Sequence, residues 1–132
     1  MKIAIVDDSM SVRMMILVSL DEMGIEASDI TEFSLATAAL EDFENSYYDL
    51  IFCDLNMPEM SGLELMQKVR SELKHIQKSK IVIVTGEEDV TYKEDFKALG
   101  VHNFIKKPIH PPAFIHLIKP LVEKIKRYEQ RA

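Results

Sequence analysis

Five short apolar runs, each followed by a stretch of helical periodicity, constrain the fold of this chain more than any other feature. The runs fall at 2–6, 29–33, 49–54, 80–85 and 102–105, the length expected of buried parallel strands. Between them, Val12, Met15, Ile16, Leu20 and Met23 follow i, i+3, i+4 spacing, with Gly24 as a stop. Leu35, Ala36, Ala39, Leu40 and Phe43 form a second stripe, and Met66, Val69 and Leu73 a third, opening after Ser61-Gly62. A fourth helix near 90–99 has a thin apolar face of Val90, Phe96 and Leu99 before Gly100. The fifth carries Phe114, Leu117, Ile118, Leu121, Val122 and Ile125 on one face, with Pro120 expected to kink it or remove a hydrogen bond. The tail 124–132 is polar and is expected to fray. Strand then helix, five times over, predicts an α/β fold: a doubly wound (βα)5 three-layer sandwich around a five-stranded parallel sheet.

Length and charge narrow the function classes. At 132 residues the chain reads as one domain over 1–132, long enough to bury about two-thirds of its unfolded surface. A net charge of −6 argues against a nucleic-acid footprint, which needs clustered Lys and Arg. No apolar run approaches the roughly 18 residues of a membrane span, and the N-terminus lacks the pattern of a signal peptide. The single cysteine, Cys53, sits in an apolar run and reads as a buried thiol. A cytoplasmic location is the expectation. The four histidines show no paired ligand spacing, which argues against a transition-metal site.

Ligands of doubly wound sheets bind outside the carboxyl ends of the strands. Asp7, Asp8, Asp54 and Thr85 fall at such ends, with Lys107 just after the last. Two carboxylates about 4 Å apart repel by about 4 kcal/mol at an effective dielectric near 20, so three of them call for a proton or a cation. Hard oxygen ligands suit Mg²⁺. Asp8 or Ser9 also suits capping of the helix that follows. Lys107 can place a point charge on a phosphate or carboxylate, and its position before Pro108 restricts its backbone. Its neighbour Lys106 reads as a solvated side chain. Thr85 can donate to a phosphoryl oxygen, although a strand-end Thr is also a plain β-former.

Four motifs carry a family resemblance: Asp7-Asp8-Ser9; Asp54-Leu55-Asn56-Met57-Pro58 with Gly62; Val84-Thr85-Gly86; and Lys107-Pro108. Together they resemble the receiver domain of two-component response regulators, over essentially the whole chain. The resemblance implies a flavodoxin-like strand order 2-1-3-4-5, with Asp54 as phosphoacceptor. It implies Mg²⁺ bound by Asp8, Asp54 and the backbone carbonyl of Asn56, with Asp7 acting through water. Lys107 would pair with the phosphoryl group, Thr85 would serve as the switch hydroxyl, and Phe104 would be the switch aromatic. Without the resemblance, Phe104 reads as core packing. Asn56 and Glu87 match the lifetime-tuning positions of chemotaxis-type regulators with short-lived phosphorylation; otherwise both are solvated loop residues.

The implied partners are a sensor histidine kinase or phosphotransfer protein as donor and a downstream protein target, contacted through the face of helix four, strand five and helix five. A monomer or weak dimer, neither a nucleic-acid nor a membrane binder, is expected. Such a protein catalyses only its own phosphorylation and dephosphorylation. The end of the chain soon after helix five favours a stand-alone regulator over the receiver module of a longer one. A haloacid-dehalogenase-like phosphatase also uses a strand-end Asp and Mg²⁺, but normally has a second aspartate where this chain has Asn56. A small flavodoxin-like cofactor binder would need a Ser/Thr/Gly-rich phosphate loop after the first strand, and none is present.

Overall fold

The computed structural model describes residues 1–86 and 91–131. Its elements, in chain order, are β1 (Ile3–Val6), α1 (Met10–Glu22), β2 (Ile30–Phe33), α2 (Ala36–Phe43), β3 (Leu50–Asp54), α3 (Gly62–Glu72), β4 (Lys80–Thr85), α4 (Tyr92–Ala98), β5 (Asn103–Lys106) and α5 (Pro111–Arg131). Short 3-10 turns at Ala27–Asp29 and Lys74–Ile76 lead into β2 and toward β4. The five strands are parallel, in the order β2-β1-β3-β4-β5. Both the fold class and the strand order agree with the expectations from sequence.

Side-chain alternation in the strands builds two cores. Ile3, Ile5, Leu50, Phe52, Val82 and Val84 face one side, packing with Ile16 and Leu20 of α1 and Phe114, Ile118 and Val122 of α5. Ala4, Val6, Ile51, Cys53, Ile81 and Ile83 face the other, against Phe43 of α2, Met66 and Val69 of α3, and Phe96 of α4. The sheet thus lies between two helical layers, and the central strands β1, β3 and β4 are almost entirely buried. This explains why they read as continuous apolar runs and not as alternating ones.

Helix starts follow local chemistry. Ser9 caps α1 by accepting from the Val12 amide, and Ser61 caps α3 by accepting from the Glu64 amide. Gly24 and Gly100, both at positive φ, follow the C-terminal ends of α1 and α4. Arg70 of α3 donates from Nε to the Leu99 carbonyl at 3.1 Å, tying the end of α4 to the α3 side of the sheet.

Several expectations need correction. β2 is an edge strand with Thr31 and Glu32 exposed, because only β1 flanks it. β5 lies one residue later than expected and takes in Lys106. Leu117 is 54% exposed although Phe114 and Ile118 are buried. A helix turns 100° per residue, so Leu117 falls on the edge of the stripe, toward solvent. The tail expected to fray is helical as far as it is described: α5 continues through Pro120 to Arg131. Buried Val122 and Ile125 anchor it, and the N-terminal ammonium pairs with Glu129 at 3.2 Å. Val90, expected on the fourth helix, lies outside the described residues. Cys53 is fully buried, as expected.

Candidate functional site

The strand order reverses between β1 and β3, and this is where the acidic residues meet. Asp7 and Asp8 follow β1 directly, and Asp54 is the last residue of β3. One carboxylate oxygen from each of the three lies within 4.8 Å of the others. Asp7 and Asp54 are buried, while Asp8 is exposed and forms the open side of the cluster. Lys107, just beyond β5, brings its Nζ to 3.0 Å from Asp7 Oδ2 and 3.2 Å from Asp54 Oδ1. The Lys107–Pro108 peptide bond is cis, and the Lys107 amide donates to the Thr85 carbonyl at 2.9 Å. That bond fastens the lysine to the end of β4.

The electrostatics follow from crowding. Burial, and next the charge of Asp7, push the Asp54 carboxyl up to about 6, although Lys107 opposes the shift. Burial by itself would depress the Lys107 ammonium, but Asp7 and Asp54 outweigh it and hold the group above its ordinary value. Burial, followed by the charges of Asp54 and Asp7, raises the Cys53 thiol far beyond its usual range, so it remains protonated.

The donor set suits a small divalent cation. All three ligands are hard carboxylate oxygens, and one face of the cluster is open to water. Asp7 Oδ2 is buried and faces the Lys107 ammonium at 3.0 Å. A carboxylate oxygen has a second lone pair, so it retains capacity for a bound water. The pocket fits a hard metal ion of the Mg²⁺ kind.

The chain around Asp54 is shaped for this display. Gly62 opens α3 so close to β3 that a Cβ there would lie 2.1 Å from the Asp54 carbonyl oxygen. No side chain fits, and the Gly62 amide donates to Leu55 O at 2.8 Å. Asn56 is exposed, two residues past Asp54, and Glu59 bends the loop at a φ of 70°. Thr85 is buried at the end of β4. Phe104 is half-buried on β5, edge-on to Tyr92 and Phe96 of α4, with Lys93 Nζ 5.3 Å from its ring centre. It stands apart from the acidic cluster, on the face toward α4. Glu87 lies outside the described residues. Arg13 was not singled out from sequence: its Nη1 donates to the Asp7 carbonyl at 2.7 Å. A lone arginine on a helix gives no signal of that kind until β1 is folded beside it.

A family model described as the response regulator receiver domain matches residues 3–119. The chain belongs to this family. This receiver domain is 37% identical over 112 residues to chemotaxis protein CheY1 of Helicobacter pylori, covering 84% of this chain and 88% of the relative. It is 36% identical over 112 residues to the chemotaxis protein CheY homolog of Campylobacter jejuni, covering 84% of each. Among solved structures, the chemotaxis response regulator CheY4 of Vibrio cholerae superposes with a TM-score of 0.79 at 28% identity, covering 91% of this chain and 97% of that one. A CheY-like receiver domain protein of Methanospirillum hungatei gives 0.79 at 27% identity, covering 99% and 98%. CheY-like receiver domains are signalling switches, and the acidic pocket here is consistent with phosphorylation-dependent signalling. The phosphatase and cofactor-binder readings give way to this membership. No helix among the described residues is long and apolar enough to cross a membrane.

Proposed function

We propose that this receiver domain accepts a phosphoryl group on Asp54 from a phosphohistidine of a sensor kinase or phosphotransfer protein, and that the resulting change of surface controls a protein partner. The observation that carries this reading is the meeting of Asp7, Asp8 and Asp54 within 4.8 Å, with the Lys107 ammonium against two of them. An Asp54 carboxylate oxygen attacks phosphorus as the bond from phosphorus to the donor imidazole nitrogen breaks. The freed imidazole then takes up a proton. Asp8, Asp54 and the Asn56 carbonyl would hold Mg²⁺, with Asp7 contacting it through water; the ion would offset charge on the transferring oxygens.

Lys107 is placed to follow the phosphoryl charge, because its ammonium already contacts Asp54. Thr85, joined to Lys107 through its backbone carbonyl, supplies the hydroxyl that closes on the new group. The acyl phosphate adds roughly two negative charges at the end of β3. The Thr85 end of β4 then shifts toward it and Phe104 repacks among Tyr92 and Phe96, changing the surface of α4, β5 and α5. Water attack on the acyl phosphate returns Asp54 and releases inorganic phosphate. Polar Asn56, with Glu87, favours a short-lived phosphoform by admitting and orienting that water.

With acetyl phosphate or phosphoramidate and Mg²⁺, the wild-type chain is expected to take one phosphoryl group and lose it well within an hour. Intact-mass measurement reads both. Stoichiometric labelling of Asp54→Ala would overturn the site, and a phosphoform that persists for hours would overturn the role given to Asn56 and Glu87.

A further inference from the structure

Arg13 lies one turn into α1 with its side chain 14% exposed, and it makes two contacts at once. Nε meets Glu32 Oε1 of β2 at 3.1 Å, and Nη1 donates to the backbone carbonyl of Asp7 at 2.7 Å. A planar guanidinium can hold a carboxylate and a carbonyl in one fixed fork; an ammonium cannot. Asp7 is fastened elsewhere too. Its amide donates to the Phe33 carbonyl at 3.0 Å, and its Oδ1 accepts from the Ser9 amide at 2.8 Å.

The carbonyl of Asp7 and the amide of Asp8 form one planar peptide unit. Pinning that carbonyl therefore also fixes where the Asp8 Cα stands, the point from which its side chain reaches toward the cluster. Asp8 is the exposed member of the cluster, where Asp7 and Asp54 are buried. An exposed side chain is not held by core packing, so its aim leans on where its backbone stands.

We propose that Arg13 is a positioning residue for the acidic site: anchored by Glu32, it clamps the Asp7–Asp8 peptide so that the Asp8 carboxylate converges with Asp7 and Asp54. The inference rests on the reading of this cluster as a divalent-cation site. It also makes a prediction of definite sign. Arg13 is itself a cation beside an acidic pocket, so through charge alone its removal would tighten binding of a second cation. Through positioning, its removal loosens it. A merely structural role would lower the melting temperature and leave the affinity unchanged.

Calorimetric titration of the full chain with Mg²⁺ alone separates these cases. Arg13→Gln is expected to bind Mg²⁺ about tenfold more weakly than wild type, the scale typical of lost support behind a metal ligand. Glu32→Gln should weaken binding in the same direction by a smaller factor. Affinity in Arg13→Gln equal to or tighter than wild type overturns the proposal. Should Arg13→Gln fail to fold, Arg13→Lys decides: it keeps the charge and loses the fork, so weaker binding supports the clamp and unchanged binding overturns it. A wild-type chain that neither binds Mg²⁺ nor is labelled on Asp54 overturns the cation-site reading and this inference with it. A wild type that does both, beside an unaffected Arg13→Gln, overturns the inference alone.

Discussion

At the scale of single residues, Asp54 shows how a site can oppose the stability of its own fold. Its carboxyl is raised to about 6, first by burial and then by Asp7, against an ordinary unfolded value near 4. The folded state therefore holds this proton more tightly than the unfolded chain does. The stabilisation is complete below about pH 4 and is lost as pH rises through 6. Without metal at pH 7.5, Asp54→Asn should be more stable than wild type by about 1–3 kcal/mol, a figure tempered by solvent at the mouth of the pocket. The advantage should shrink as pH falls toward 4. Thermal unfolding followed by circular dichroism across that range tests the sign, and a wild type more stable than Asp54→Asn at pH 7.5 would contradict it. Asp54 was legible as a member of the acidic cluster from its place between an apolar run and a Pro/Gly loop. Its perturbed proton affinity was not, because that depends first on burial of the carboxyl and then on Asp7 lying beside it across two parallel strands.

At the scale of elements, α5 separates what periodicity reveals from what packing decides. Phe114, Leu117, Ile118, Leu121, Val122 and Ile125 share a stripe in the sequence, yet Leu117 is 54% exposed and Ile118 only 1%. Ile118→Ala should cost about 2–4 kcal/mol through lost burial and a residual cavity. Leu117→Ala should change stability by less than about 0.5 kcal/mol, as for an exposed side chain outside both cores. Chemical denaturation of both variants measures the contrast, and equal losses would contradict the assignment of Leu117 to solvent. The stripe was visible because its spacing is helical. Its edge was not, because the packing of α5 against α1 and the sheet sets which side chains are covered. The contacts of the polar end of α5 were hidden for a similar reason: Ile125 is buried and Glu129 pairs with the N-terminus, and both need the folded chain.

At the scale of the whole molecule, the sheet is graded from centre to edge. β1, β3 and β4 are paired on both sides and buried on both faces, whereas β2 and β5 each lack one neighbour. Backbone amides of Ile5, Phe52 and Ile83 should exchange with solvent only on global unfolding. Those of Thr31 and Glu32 should exchange through cheaper local openings, at least tenfold faster. Hydrogen exchange by nuclear magnetic resonance reads this directly, and uniform protection across β2 and β3 would contradict it. The gradient has a functional side. Asp7 and Asp54 stand on the rigid centre, while Phe104 and α4, which change in the proposed switch, lie toward the looser β5 edge.

The sequence by itself determined the five strand-and-helix repeats, the parallel sheet they imply, and the residues that gather at its carboxyl edge. These follow from local periodicity and from the rule that chain direction repeats in such units, so every strand delivers its end to the same side. Tertiary structure decided what those ends do to one another. It brought Lys107 to 3.0 Å from Asp7 and 3.2 Å from Asp54. It left no space for a side chain at Gly62 beside the Asp54 carbonyl. It turned Arg13 of α1 back onto the peptide between Asp7 and Asp8. Distances of that kind join residues far apart along the chain, and only the packing of one strand against another sets them.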